Sequence, residues 1–324
     1  MSSKTTFAEI SPSEFGSLYQ KGMSIDEIAS ELGRSYGYTR NRLLNSGVKL
    51  RSKAEGTRMY ISTHPEWSLQ FTKYHIAEGI HLTEEKVLLL TMVQTEGYTD
   101  RTSFGFTNAQ HLLHDEFNSA VRLTYGDVQI GRNKLTSRVS SVEMARDLAH
   151  LLPGKVFHED LMRFILDSPS TIPKVLRIVA NTEGAILISI KRAKRNYTVE
   201  SRIVLASSNT GFAKQVGVLL DTIGIRNHLS KLGVIINRKD QIARFVQMVG
   251  FSPGVKVMRA RAGMSVWLGY EKVGLENLFL RISDEQKRAR ASGLKGAFSD
   301  CVTRQQTLGR LRKWYAEVNG GGGN

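Results

Sequence analysis

Cysteine is nearly absent from this chain of 324 residues, where Cys301 stands alone. No intrachain disulfide and no cysteine-based zinc site can form, and an intracellular setting, cytoplasmic or nucleoid-associated, is expected. Long apolar runs are missing as well. No uninterrupted apolar stretch reaches membrane-spanning length and no charged start leads into one, so a soluble, unprocessed chain with no membrane partner is expected. The eight histidines are scattered. Neither His111 with His114 nor His150 with His158 has an acidic or cysteine partner at metal spacing, so surface or capping roles are expected of them. Acidic residues are also few, 30 against 45 basic, which leaves a net charge of +15. That excess fits a polyanionic partner, because neutralising phosphates releases counterions and drives binding at low salt. A hydrophobic content of 41% suffices for a sizeable core in two or three domains.

What the chain does contain is a repeat. Gln94-Thr95-Glu96-Gly97 recurs as Asn181-Thr182-Glu183-Gly184, each closing an apolar stretch, Val87 to Val93 and Val175 to Ala180. Both stretches read as helices ending at a glycine, the residue that best tolerates the left-handed backbone common at helix ends. Each copy then reaches an asparagine turn, Asn108 or Asn209, followed by a helix pattern (Ala109 to Tyr125; Thr210 to Ile223). Strand-like sequence, another helix (Ser141 to Leu152; Lys239 to Val249) and a lysine, Lys155 or Lys256, complete each copy. The repeated unit is helix, strand pair, helix, strand pair, helix. A pseudo-twofold protein with one carboxylate from each half at the junction follows. A glutamate at a helix C-terminus opposes the local dipole, so its repetition points to a functional constraint.

The N-terminal segment carries a second pattern. Ser13 to Gln20 reads as a helix, and Ser24-Ile25-Asp26-Glu27 forms a capping box opening Ile25 to Leu32. Gly33 makes a turn, and a third helix from Ser35 to Asn45 displays Tyr36, Tyr38, Thr39, Arg40 and Arg42. Ile28, Ala29, Leu32, Leu43 and Leu44 supply a small core. This looks like a helix-turn-helix whose third helix enters a DNA major groove, with Lys49, Arg51 and Lys53 continuing as a basic arm. A tri-helical protein-interaction module is the bland alternative.

The duplicated order resembles the LAGLIDADG homing endonucleases in their single-chain, two-repeat form, over roughly residues 83 to 258. The motif falls on Leu89 to Gly97 and on Leu176 to Gly184. Two departures stand out: both acids are Glu where Asp is usual, and Thr91 and Ile178 replace the glycine that lets the two helices touch. The resemblance implies an α+β fold, two pseudo-symmetric αββαββα repeats forming a DNA-binding saddle, preceded by a small all-α helix-turn-helix domain. The expected boundaries are 1–55 for the helix-turn-helix, 56–165 and 166–262 for the repeats, and 263–324 for a basic helical extension with a glycine-rich tail in which the Gly320 to Gly323 run is expected to be disordered. Within that extension, helices are expected over Asp284 to Ala291 and Thr307 to Val318.

The same resemblance implies chemistry. Glu96 and Glu183 lie side by side beneath a bound duplex, where like charges are tolerable mainly with a divalent cation between them, and oxygen-only ligation favours Mg²⁺. Asn108 and Asn209 fall where the family orients water, and Lys155 and Lys256 where it stabilises transition-state charge; a turn-capping asparagine and a surface lysine are the bland readings. The ribbon from Ala185 to Leu205, with Lys191, Arg192, Lys194, Arg195 and Arg202 against the single acid Glu200, is the expected DNA-reading surface. Its counterpart from Tyr98 to Phe106 is much shorter, so a lopsided footprint follows. Three functions remain open: a site-specific, Mg²⁺-dependent double-stranded DNA endonuclease acting as a monomer, a non-catalytic transcription regulator with a degenerate LAGLIDADG domain, and an RNA-splicing maturase.

Overall fold

A computed structural model describes residues 12–52, 55, 56, 59, 82–193, 196–258 and 265–320. Lys53, Lys194, Arg195 and the tail beyond Gly320 lie outside these residues. The chain divides into two compact units between His75 and Ile76.

The first unit is three helices, α1 (Pro12–Gln20), α2 (Ile25–Glu31) and α3 (Tyr36–Asn45). Ser24 caps α2 reciprocally: its hydroxyl accepts from Glu27 N at 3.1 Å, and its own N–H donates to Glu27 Oε2 at 2.6 Å. Gly33 turns the chain with φ of +58°, a conformation that a Cβ would penalise. Phe15, Tyr19, Ile28 and Leu43 form the core, flanked by Leu18, Met23, Leu32 and Val48. Leu44, expected inside, is 43% exposed, because its place on α3 turns away from α1 and α2.

The second unit holds the repeat. The first copy runs α4 (Glu84–Glu96), β1 (Gly97–Thr99), β2 (Ser103–Thr107), α5 (His111–Tyr125), β3 (Gly131–Arg132), β4 (Thr136–Ser140) and α6 (Val142–Leu151). After a linking helix α7 (Glu159–Asp167), the second copy runs α8 (Thr171–Glu183), β5 (Gly184–Ala193), β6 (Asn196–Ala206), α9 (Thr210–Thr222), β7 (His228–Ser230), β8 (Gly233–Ile236) and α10 (Lys239–Met248). Each copy folds an antiparallel sheet in which its first, second, fourth and third strands are neighbours in that order. Identical topology built from sequences sharing only a short motif is what a duplicated unit leaves behind. The mixed α+β architecture is therefore the expected one.

α4 and α8 pack against each other as the central pair. Val87, Leu89, Leu90, Val175, Leu176 and Val179 are buried on them. Thr95 and Thr182, at matching positions, turn their hydroxyls back onto the carbonyls of Thr91 and Ile178 at 3.0 and 2.7 Å, so the small polar positions cause no unmet donor at the helix ends.

The glycines closing these helices are needed for a different reason from the one expected. Gly97 and Gly184 have φ of −109° and −86°, extended rather than left-handed backbone. Each helix turns straight into a strand, so a Cβ at Gly97 would sit 2.5 Å from Val93 Cα, and one at Gly184 2.5 Å from the Ala180 carbonyl oxygen. Steric crowding, not dihedral freedom, selects glycine here.

The halves are unequal. β1 and β2 hold 3 and 5 residues, whereas β5 and β6 hold 10 and 11. α11 (Lys272–Ala291) and α12 (Arg304–Val318) follow the second repeat and lie against β5, the edge strand of the longer sheet. The indole N–H of the fully buried Trp267 donates to Ile188 O at 3.0 Å. Covering an edge in this way blocks strand-to-strand association. Residues 265–320 are thus part of the second unit, and α11 starts well before the charged stretch expected at Asp284.

Glu276 of α11 is 2% exposed and accepts from Phe251 N at 3.1 Å. Burial raises its carboxyl pKa from 4.5 to about 8, against the opposing effects of that N–H and of Arg177. An acid with a raised folded pKa keeps a proton that the unfolded chain releases, so its contribution to stability is complete below about pH 4.5 and is lost as pH rises through about 8. Denaturant midpoints should therefore fall between pH 5 and 8, and the fall should be smaller in Glu276→Gln. Parallel pH profiles for the two proteins would exclude this account.

Candidate functional site at the junction of the two repeats

Glu96 is the last residue of α4 and Glu183 the last of α8, so the packing of those helices brings both to one end of the pair. Both line the same hollow, together with Asn108, Gln110, Lys256 and Lys272. Glu183 also borders a second hollow with Gln94, Thr95, Lys155, Asn209 and Lys231. The four residues expected around the acids therefore sort into two groups: Asn108 and Lys256 line the first hollow with both acids, and Asn209 and Lys155 line the second with Glu183.

The two asparagines are not equivalent. Asn108 Nδ2 donates to Glu96 Oε2 at 2.8 Å, while its Oδ1 accepts from Gln110 N at 2.8 Å. Its own carbonyl accepts from His114 Nε2 at 2.8 Å, and His114 Nδ1 lies 2.9 Å from Ser137 Oγ. A carbonyl can only accept, so the proton sits on Nε2 and Nδ1 takes the hydroxyl proton of Ser137. His114 is 1% exposed. Expected at the surface, it instead fixes the residue that holds Glu96. No sequence spacing marks it, because its partners lie on β2, β4 and the turn before α5.

Asn209 instead caps α9, its Oδ1 accepting from Phe212 N at 3.1 Å, and its Nδ2 donates to Gly154 O and Lys155 O, both at 3.1 Å. The bland expectation of a turn-capping asparagine describes it well. Lys155 carries φ of +60°, which costs an L-residue about 1 kcal/mol or more. Gln94 and Asn209 both donate to its carbonyl and hold it there.

These bonds cross between the halves. The segment trailing the first repeat is gripped by Asn209 of the second, and by Gln215, which exchanges hydrogen bonds with the Phe157 backbone at 2.8 and 2.9 Å. The segment trailing the second repeat is gripped by Gln110 of the first, whose Oε1 accepts from Lys256 N at 2.6 Å. The backbone of each lysine is thus held in part by the opposite half.

Lys272 lines the first hollow too, and sequence reasoning did not single it out. It is 5% exposed, and its ammonium donates to the carbonyls of Ala180 and Asn181 at 3.0 and 2.7 Å. Those are last-turn carbonyls of α8, the negative end of the helix, where a cation is favourable. It arrives from the extension, outside both repeats, so no periodicity could have singled it out.

Among the described residues no group of three or more His, Cys, Asp or Glu gathers to hold a metal. The donor set at the junction is two carboxylates in an open, partly basic hollow. That fits a hard cation taking its remaining oxygens from phosphate and water, not one held in an all-protein cage.

Of the expected polynucleotide contacts in the first unit, Tyr36 and Tyr38 are 48% and 40% exposed, and Arg40, Arg42 and Lys49 are exposed. Arg42 Nε donates to the Tyr38 hydroxyl at 3.1 Å. Thr39 is fully buried, on the face of α3 opposite the exposed residues, and is removed from the set. Arg51 is removed too. Its guanidinium lies 4.1 Å over the Tyr19 ring and donates to the carbonyls of Tyr19, Gly22 and Met23, locking the α1–α2 turn.

On the ribbon, strand alternation divides the cations. Lys191 and Arg202 lie on the face that carries Glu200, and Lys191 pairs with Glu200 at 2.6 Å. Arg192, opposite Tyr197 in the register, is on the other face, which Ile186, Ile188 and Ile203 occupy nearer the core.

Residues 11–58 match the family model of a helix-turn-helix domain. No curated protein matches the chain. Among solved structures, the chain is similar to I-DmoI in complex with DNA and Mn (18% identity, 52% of this chain and 96% of that one, TM-score 0.36). It is also similar to the meganuclease I-SmaMI bound to uncleavable DNA (10%, 76% and 100%, 0.43) and to the LAGLIDADG meganuclease I-AabMI bound to uncleaved DNA (12%, 74% and 99%, 0.42). No helix among the described residues is long and apolar enough to cross a membrane.

Proposed function

We propose that this protein is a site-specific double-stranded DNA endonuclease of the LAGLIDADG homing type, acting as a pseudo-twofold monomer with Mg²⁺. One observation carries the reading: Glu96 and Glu183, from the ends of two paired helices, line a single hollow with Lys256 and Lys272. Two carboxylates at helix C-termini, where an anion is disfavoured, make sense where a cation and a phosphodiester complete the site.

Glu96 and Glu183 would hold the cation. When bound, Mg²⁺ supplies Lewis-acid polarisation of a phosphoryl oxygen and offsets developing negative charge. Asn108 fixes one carboxylate oxygen of Glu96. Lys256 and Lys155, their backbones held in part by Gln110 and Asn209, bring ammonium groups to phosphate oxygens on either side of the junction. Lys272 offsets the negative end of α8 beside Glu183. Arg40 and Arg42 on α3 and Lys191 and Arg202 on the long ribbon contact the duplex.

A second reading, a DNA-binding regulator without catalysis, draws on one feature. Asn209 commits its amide to capping and to the Lys155 carbonyl, so the second hollow lacks the arrangement that Asn108 makes around Glu96.

Selecting a bound duplex from a random library and then adding Mg²⁺ separates the two. Cleavage at a fixed position supports the endonuclease; tight binding with both strands intact after long incubation supports the regulator. Binding should weaken steeply with salt in either case, and Arg40→Ala should lower affinity about five- to tenfold, as expected for one phosphate or base contact. Equal affinity of Arg40→Ala and the parent in direct titration would remove α3 from the interface.

A further inference from the structure

A third hollow shares no lining residue with either of the two at the junction. Lys239 at the start of α10, Arg290 near the end of α11 and Lys295 in the loop before α12 converge on it, with Tyr197 and Val199 of β6 forming one wall. No carboxylate lines it. The acids nearby in sequence are already engaged: Asp240 with Arg238 at 3.2 Å, Asp284 with Lys287 at 3.5 Å, Glu285 with Arg288 at 3.1 Å and Asp300 with Arg310 at 2.5 Å. None of the three converging cations has an ion-pair partner among the described residues. Gln286 accepts from the Lys239 ammonium and holds it at the rim. Burial, and then the charge on Arg290, lower the Lys239 pKa.

Like charges gathered in a concavity repel, whereas a merely solvated face spreads its cations apart. An anionic phosphate group relieves the repulsion, and the cations suit it: a guanidinium fork for paired oxygens and two ammonium point charges. Arg192 extends the charge along the same side of the ribbon, since it opposes Tyr197 in the register. A line of cations leading out of a pocket fits a polymer of phosphates better than one free ion.

We propose that this hollow is a phosphate-binding site of the C-terminal extension, and that it takes a backbone phosphate from a nucleic-acid strand passing behind the β5–β6 ribbon. The inference rests on the polynucleotide partner of the proposed function but not on cleavage.

The test compares the full chain with the triple variant Lys239→Gln, Arg290→Gln, Lys295→Gln, and with a control, Lys287→Gln, Arg288→Gln, whose charges are already paired on α11. Binding of the selected duplex is titrated over a range of salt concentrations, and binding of pyrophosphate is followed by calorimetry. The triple variant should lose about tenfold in duplex affinity, with the slope of log K against log salt shallower by about one, as for a lost phosphate contact; the control should change neither. An unchanged slope and affinity in the triple variant would overturn the proposal. Pyrophosphate binding lost in the triple variant without any change in duplex titration would also overturn the polynucleotide assignment, leaving a site for free phosphate. A parent chain that binds but never cleaves, with the slope difference present, removes the endonuclease reading alone.

Discussion

If the proposed reading holds, Glu96→Gln and Glu183→Gln should each abolish Mg²⁺-dependent cleavage of a selected duplex while leaving its binding intact. The substitution keeps the shape of the side chain and its hydrogen bonding to Asn108 in the first case, and removes only the negative charge that would hold a cation. Losing that charge forfeits several kcal/mol of transition-state stabilisation, which at about 1.4 kcal/mol per factor of ten lowers the single-turnover rate by about 10³-fold or more. Binding should hold or tighten slightly, because removing an anion from a phosphate-facing hollow reduces repulsion. Single-turnover assays with either strand labelled decide the matter. A residual rate within tenfold of the parent in both variants would show that these carboxylates do not carry the reaction.

The second large effect concerns stability. Gly184→Ala and Gly97→Ala should each destabilise the second unit by about 3 kcal/mol, at the severe end of overpacking, because the added methyl would meet backbone atoms at 2.5 Å that no rotamer change can move. The helix must pull away from its strand, and the glutamate one residue earlier moves with it. Gly37→Ala is the contrast. It lies in α3 with open space around it, and alanine there should stabilise the helix by about 0.5–1 kcal/mol. Urea melts of the three variants measure both, and a loss under 1 kcal/mol at Gly184 would refute the crowding account.

The repeat, the order of its elements and the two acids were legible because they rest on local signals: apolar periodicity, a capping box, an asparagine turn and a recurring tetrapeptide. The lopsided ribbons were legible too, as a difference in length between two acid-to-asparagine spacings. The error at Gly97 and Gly184 has a physical source. Glycine after a helix usually reports a left-handed cap, and only the immediate start of a strand, which composition does not signal, replaces that demand with a steric one. Thr39 and Leu44 were misplaced for a related reason. Which face of a short helix is buried depends on the angle at which its neighbours cross, and a ten-residue polar helix carries too few apolar positions to declare it. His114 and Lys272 were invisible because each acts across the fold, through partners distant in the chain.

The grip of each repeat on the other's trailing segment has a bearing on how such a chain can be altered. Neither half carries every group that holds the backbone of its own lysine: Lys155 is held in part by Asn209, and Lys256 by Gln110. Exchanging one half for that of a cousin would therefore break a handshake on both sides at once. Hybrid chains should inherit specificity cleanly only when the border is drawn to keep each tail with the half that clasps it, at the helices α5 and α9 instead of at the linker between repeats.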